Sequence, residues 1–222
     1  MKTKNFFAIL ILALLAFNYV SAQDQMTFGV RAGVNFQNIN GKGSSGDKLE
    51  NDLLPGFNVG ANVEIPVGTD IYFQPGLLFS TKGGKLNTFG TAATAKLHIS
   101  YIELPLNLLF KPLLGTGHML LGFGPYVAYG IGGKGTTDIS GVTNDWDVKF
   151  KSDVSDSDPN DVVYLKAFDA GANFIIGYEM ASMLSLQLNA QLGLLDIYPN
   201  YPVTDDTSWK NTGFGLSVGY RF

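Results

Sequence analysis

The chain of 222 residues has no cysteine, few charges and no long apolar run beyond its first residues. Without cysteine there is no disulfide scaffold to build on, and no lipid anchor on an N-terminal thiol. Charged residues make up 15%, where a soluble domain usually carries about a quarter. The formal charge is −4 and no Lys/Arg-rich block occurs, so the electrostatic footprint of a nucleic-acid binder is missing. Nothing after residue 23 approaches an uninterrupted apolar stretch of roughly twenty residues, so a membrane location would have to be reached with strands. What is abundant is glycine, 27 residues, and aromatics at 13%. That is the composition of an all-β protein rather than a disordered tail, and the length allows one domain, at most two small ones.

The N-terminus reads as an export signal. Lys2 and Lys4 precede an apolar stretch from Phe6 to Phe17, and Val20-Ser21-Ala22 supplies small residues before Gln23, the three regions of a cleavable secretory leader. Residues 1–22 are therefore expected to be removed, leaving 23–222 as the folded domain. Losing Lys2 and Lys4 from the 15 basic residues leaves 13 against 19 acidic ones, so the mature chain carries about −6.

The mature chain repeats one pattern of about ten residues in which apolar side chains alternate with small or polar ones, the period of a strand with two different faces. The segments are 27–38, 57–65, 71–82, 97–110, 119–132, 167–180, 184–195 and 211–222. In the first, Phe28, Val30, Ala32, Val34 and Phe36 oppose Gly29, Arg31, Gly33, Asn35 and Gln37. The fourth is least clean, because both faces carry apolar residues, but Ile102, Leu104, Leu106, Leu108 and Phe110 oppose Glu103 and Asn107. Every charged residue within these spans (Arg31, Glu64, Lys82, Glu103, Asp169, Glu179 and Arg221) falls on the polar face, together with the strand glycines. A water-exposed sheet face would be rich in Lys, Glu and Thr; glycine and paired charges suit the inside of a narrow barrel.

The connections alternate as well. Those at about 39–56, 83–96, 133–166 and 196–210 are long, those at 66–70 and 181–183 are short, and that at 111–118 is intermediate, the asymmetry of outer loops against periplasmic turns. This orientation sets lipid-facing Phe28, Phe110, Phe123, Tyr178, Tyr220 and Phe222 at the periplasmic rim. Phe36, Phe57, Phe79, Tyr129 and Phe168 then stand at the outer rim, completing two aromatic girdles. The expected architecture is an eight-stranded antiparallel up-and-down transmembrane β-barrel, with the apolar set toward hydrocarbon and the smaller, wetter set inside.

The stretches FGVRAGVNF, YIELPLNLLF, GFGPYVAYG, QLGLLDIYPN and the closing GFGLSVGYRF resemble, in that order, the outer-membrane β-barrel domain family of Bacteroidetes, PorT-like in its broader sense. The resemblance spans residues 24–222. It implies a single barrel of OmpA/OmpX type in the outer membrane of a Gram-negative bacterium. The terminal Phe222 on an alternating last strand resembles the signal read by the barrel-assembly machinery. The family brings no catalytic residues, and some relatives serve a secretion system.

Candidate sites follow from the residues. Arg31, Glu64, Glu103, Glu179 and Arg221 would lie in the periplasmic half of the lumen and, being costly to bury unpaired, form a network. That network reads either as a structural plug or as a gated pathway; eight strands leave room only for side chains, which favours the plug. His98 and Ser100 share one strand face near the outer rim, similar to the His-x-Ser pair of outer-membrane lipid A deacylases, but Glu103 has the opposite parity and could not orient the histidine. Asp153, Asp156, Asp158 and Asp161 could gather divalent ions near lipopolysaccharide, although Asp158 and Tyr164 stand where a calcium-binding EF-hand loop needs Gly and Glu; a solvated acidic loop is the simpler reading. His118 sits in a turn and needs no role. No cofactor, metal or enzymatic activity is expected. The expected role is structural or interactive, in adhesion, envelope integrity or secretion support, through the outer loops of a monomer in contact with lipid, lipopolysaccharide and a protein partner. A narrow channel is the alternative, a lipid-modifying enzyme the third.

Overall fold

The computed structural model of the chain describes residues 26–87, 93–139, 141–159, 161–202 and 206–222. The export-signal reading thus lies outside the described residues. These contain eleven strands and no helix: β1 (Thr27–Lys42), β2 (Leu54–Gly68), β3 (Ile71–Leu86), β4 (Ala93–Phe110), β5 (Leu113–Leu114), β6 (Gly117–Ile139), β7 (Val142–Phe150), β8 (Val163–Leu165), β9 (Phe168–Glu179), β10 (Leu184–Gly193) and β11 (Ser208–Arg221). Eight of them close a ring. β4, β3, β2, β1, β11, β10, β9 and β6 pair in that order, and β4 pairs with β6 to seal it. Every contact around the ring is antiparallel. The first strand meets the last from Gly29↔Arg221 to Lys42↔Ser208, so no edge is left in the wall.

The alternating pattern dictates which face looks where. Val30, Val34, Phe57, Leu77, Phe123, Phe174, Leu188 and Phe214 are exposed on the outside, while Arg31, Glu64, Lys82, Glu103, Asp169 and Asn173 are buried within. A soluble barrel does the reverse, so the outer surface is built for hydrocarbon. Of the girdle aromatics, Phe28, Phe36, Phe57, Phe110, Phe123, Tyr129, Phe168, Tyr220 and Phe222 are exposed. Phe79 and Tyr178 are half-buried: Phe79 leans on Phe57 at 5.6 Å between ring centroids, and the Tyr178 hydroxyl donates to the Leu114 carbonyl at 2.9 Å.

Two expectations need correction. The long connections are shorter than their sequence reading, because the strands continue beyond the bilayer. β6 runs for 23 residues, about twice what a tilted strand needs to cross, and its upper part pairs with β4 on one side and β7 on the other. The 133–166 stretch is thus a hairpin turning at Gly141 (φ 86°), followed by β7 and the short parallel pairing of β7 with β8. Above the membrane the outer face has no reason to be apolar, so the signal used to find strands fades there; the inward Trp146, Val148 and Phe150 still alternate with Asp147 and Lys149.

The second correction concerns the lumen, which is not wet throughout. Its outer part is filled by a dry cluster in which Ile39, Leu97, Ile99, Tyr101, Tyr126, Leu165 and Ile197 are at most 1% exposed. Trp146, Phe150, Trp209, Val163 and Leu49 pack against it from above. The apolar residues on both faces of β4 therefore have separate destinations: Leu97, Ile99 and Tyr101 fill the barrel while Ile102, Leu108 and Phe110 face lipid.

Gly83, on β3, has φ of 140° and faces His98 of β4; a Cβ there would overlap the Leu97 carbonyl oxygen. Gly83→Val is expected to destabilise the barrel by about 1–3 kcal/mol through backbone strain and overpacking. Gly132→Ala, where a Cβ meets nothing within 4 Å, should change stability by less than about 0.5 kcal/mol. Urea unfolding of the barrel refolded in detergent checks both.

Candidate functional site

The lumen holds two ion-pair clusters with the dry plug beyond them. In the lower one, β2, β11 and β9 deliver Glu64, Arg221 and Glu179, and Lys111 follows the end of β4. Lys111 Nζ lies 2.8 Å from Glu64 Oε2 and 2.8 Å from Glu179 Oε1. The Arg221 guanidinium pairs with Glu64 through Nη2, reaches Glu179 through Nε at 3.4 Å, and donates to Asn62 Oδ1 at 3.1 Å. Gln74 adds a hydrogen bond from Nε2 to Glu64 Oε1 at 3.1 Å. Two cations thus sit between two carboxylates, and the strand that closes the barrel supplies one of them.

The upper cluster is centred on Lys82 of β3. Its Nζ is 2.9 Å from Glu103 Oε2 on β4 and 3.3 Å from Asp169 Oδ2 on β9, with all three side chains at most 1% exposed. The ammonium also sits 4.0 Å from the centroid of the Tyr126 ring and 5.5 Å from that of Tyr101, a cation held against aromatic faces. Asp169 Oδ2 accepts from the Tyr126 hydroxyl at 3.3 Å and from Asn211 Nδ2 at 3.1 Å. Gln191 donates to Glu103. Tyr101 and Tyr126 belong to this cluster by their hydroxyls and to the plug by their rings, so the charged and dry parts of the lumen are one packed unit.

The five charges singled out in the sequence are divided by the structure. Glu64, Glu179 and Arg221 meet in the lower cluster, and Glu103 joins Lys82 in the upper one. Arg31 is buried and bonds Asn189 Oδ1 from Nη1 at 3.4 Å, outside any ion pair among the described residues. Lys82 and Asp169 carry the polar-face parity yet stand outside that set of five. Lys111, placed in a turn, continues the inward parity of Glu103 and Asn107 past the end of β4, and this was the signal available to find it. With these three included, four cations (Arg31, Lys82, Lys111, Arg221) face four carboxylates (Glu64, Glu103, Asp169, Glu179), and the lumen is electrically neutral. In a medium where an unpaired ion costs several kcal/mol, that balance is what permits charges at the axis at all.

The other candidates do not assemble into reactive sites. His98 is exposed and Ser100 half-buried on the outer face of β4, whereas Glu103 is buried on the inner face and bound to Lys82. The acidic stretch is dispersed among separate partners. Asp153 Oδ1 accepts from Asn200 Nδ2 at 2.8 Å. Asp158 accepts from Lys151 Nζ at 2.6 Å and from the Ser155 backbone N–H at 2.7 Å; Lys151 and these serine donors hold its carboxyl down at about 2. Among the described residues no three His, Cys, Asp or Glu side chains gather where a metal ion would fit. His118 is half-buried at the foot of β6.

A family model described as an outer membrane protein beta-barrel domain matches residues 21–198. The chain belongs to this outer-membrane β-barrel family. The barrel therefore lies in the outer membrane of a Gram-negative bacterium, with the loops outside and the short turns in the periplasm. No curated protein matches the chain. Among solved structures it is similar to the attachment invasion locus protein Ail of Yersinia pestis, at 11% identity over 90% of this chain and 100% of that one, with a TM-score of 0.39. Neisserial surface protein A is similar at 13% identity, covering 89% and 98%, TM-score 0.42. A major outer membrane protein of Thermus thermophilus is similar at 13% identity, covering 90% and 100%, TM-score 0.47.

Removing the hub of the upper cluster should be costly. Lys82→Met leaves Glu103 and Asp169 as buried carboxylates without their cation, and is expected to lose about 3–5 kcal/mol of unfolding free energy. The triple variant Lys82→Met, Glu103→Gln, Asp169→Asn should regain most of it. Equal stability of Lys82→Met and the unaltered barrel in urea titrations would contradict the assigned pairing.

Proposed function

We propose that this barrel is a monomeric interaction protein of the cell surface, a PorT-like barrel of the Bacteroidetes type. It serves adhesion, envelope integrity or support of an export assembly through its outer loops rather than passing solutes. The observation that carries this is the plug. A pathway for ions would have to cross the two ion-pair clusters and then the region of Leu97, Ile99, Leu165 and Ile197, which are 0% exposed, and eight strands leave no second route. What the barrel presents instead is a raised surface. The upper parts of β4 and β6 and the whole of β7 form a sheet standing above the outer girdle, with Ile139 and Val142 exposed at its tip. Along 142–147 the second edge of β7 pairs with no strand among the described residues, since β8 covers only Val148–Phe150. An open edge of this kind is suited to an extended segment of a partner.

Catalysis has no support in the placement of His98 and Ser100, and no cofactor is invoked. Delivery to the membrane would go through the barrel-assembly machinery, for which the exposed Phe222 beside Tyr220 (ring centroids 5.1 Å apart) offers an aromatic terminus. The mature protein in planar bilayers is expected to give no steady unitary current. Replacing residues 137–144 by a two-residue Asn-Gly turn should lower adhesion of expressing cells to a protein-coated surface several-fold, with heat-modifiable gel migration unchanged. Steady currents abolished by Glu103→Gln would favour the channel, and lipid A acylation altered by expression and lost in His98→Ala would favour the enzyme.

A further inference from the structure

Apart from Lys2 and Lys4, every lysine and arginine of the chain is either one of the four in the lumen or stands at the outer end of the barrel. A chain with net negative charge thus keeps all its unburied cations on the side where the outer leaflet's headgroups lie. On the exterior wall two lysines and a histidine converge. His98 of β4 faces Lys134 of β6 across the ladder, and Lys96 faces Thr136 one step above. Opposite residues of an antiparallel pair have Cβ atoms about 4.5–5.5 Å apart and diagonal ones about 7–8 Å, so the ends of Lys96, His98 and Lys134 can close on one tetrahedral anion. All three side chains are exposed. Neither lysine is in an ion pair among the described residues. Three carboxylates share this face: Asp147 of β7 stands directly across the ladder from Lys134 without forming an ion pair with it, Asp145 accepts from Thr136 Oγ1 at 3.0 Å, and Asp138 of β6 accepts from the Gly141 N–H at 3.0 Å.

Directly beneath this triad the wall turns apolar. Ile102 pairs with Tyr129, and Ile102, Tyr129 and Ile131 are exposed on the outside at 39%, 59% and 53%; Ser100, between the two zones, is half-buried. The tyrosine marks the bilayer interface, so the cations sit at headgroup height and the apolar residues at the height of acyl chains. We propose that Lys96, His98 and Lys134 form a binding site for the phosphate of a phosphorylated glycolipid of the outer leaflet, whose acyl chains lie against Ile102, Tyr129 and Ile131. The two zones together select a lipid over free phosphate, because only a lipid occupies both. The His98 and Ser100 pair then serves as polar contacts to a headgroup, not as base and nucleophile.

The test uses the whole mature barrel in nanodiscs and reads bound lipid by native mass spectrometry. Three probes are compared: bis-phosphorylated lipid A, the same lipid A after enzymatic dephosphorylation, and inorganic phosphate. The unaltered barrel is expected to retain phosphorylated lipid A at least fivefold over the dephosphorylated form, and Lys96→Gln, His98→Gln, Lys134→Gln combined should abolish that preference. Lys149→Gln, on β7 outside the triad, should leave it intact. Heat-modifiable migration of each variant controls for folding. Equal retention of the two lipids by the unaltered barrel, a preference that survives in the triple variant, or displacement of lipid A by equimolar inorganic phosphate would each overturn the proposal.

Discussion

A charge buried at the axis of a lipid-embedded barrel must be answered by an opposite charge within the wall, because neither water nor hydrocarbon can answer it. Much of this protein follows from that requirement. Four cations and four carboxylates share the lumen, and seven of the eight enter ion pairs that cross it from one side of the ring to another. β11, which closes the ring against β1, carries Arg221 into contact with Glu64 of β2 and Glu179 of β9. The closing register is therefore tied to the electrostatics as well as to the backbone ladder. A slip of one residue would turn Arg221 toward lipid and leave Glu64 and Glu179 sharing a single lysine.

The upper cluster links this constraint to the dry plug. The Tyr126 hydroxyl donates to Asp169 and the Tyr101 hydroxyl accepts from Asn211, while both rings belong to the cluster of Ile99 and Ala128 and also face Lys82, so its ammonium is enclosed by aromatic faces and carboxylates at once. Outside, the loops descend onto the same plug through Leu165 and Ile197. The loops are thereby anchored by a core continuous with the barrel's interior, which gives the projecting β4–β6–β7 sheet a rigid base. For the proposed interaction role, that rigidity would leave less ordering to be done on binding.

The strand ring was legible in the sequence because the bilayer imposes a strict rule: within about ten residues per strand, one face must be apolar. Phe28 through Phe36 and Leu184 through Leu194 obey it without exception, and glycine with charge on the other face told which side was inside. Where the rule lapses, so did the reading. The upper part of β6 and all of β7 stand in water, and their inward residues, Trp146, Val148 and Phe150, carry a period-two pattern too short to stand out amid Asp, Thr and Lys. The outer plug was hidden for a related reason: Leu97, Ile99 and Tyr101 are apolar on the face otherwise reserved for polar groups, so β4 looked ambiguous when it in fact passes from one interior to another. Parity alone names the residues that can enter the lumen, but partner choice depends on the tilt and stagger of the ring, which no linear pattern carries. Lys111 lay one step past a strand end, and Arg31 has the right parity and no ion-pair partner among the described residues.

The central claim is that this barrel meets hydrocarbon with its outer face and seals its axis with paired charges and a dry plug. Site-directed spin labelling in lipid nanodiscs tests both parts at once, because it reads each side chain's access to oxygen, which concentrates in hydrocarbon, and to a water-soluble nickel chelate. Labels at Phe123, Phe174 and Leu188 should be reached by oxygen and not by nickel, while labels at Leu97, Asn173 and Ile175 are shielded from both. Nickel access at Leu97 would reveal an open pore, and greater oxygen access at Asn173 and Ile175 than at Phe174 would show that the faces of the sheet have been assigned the wrong way round.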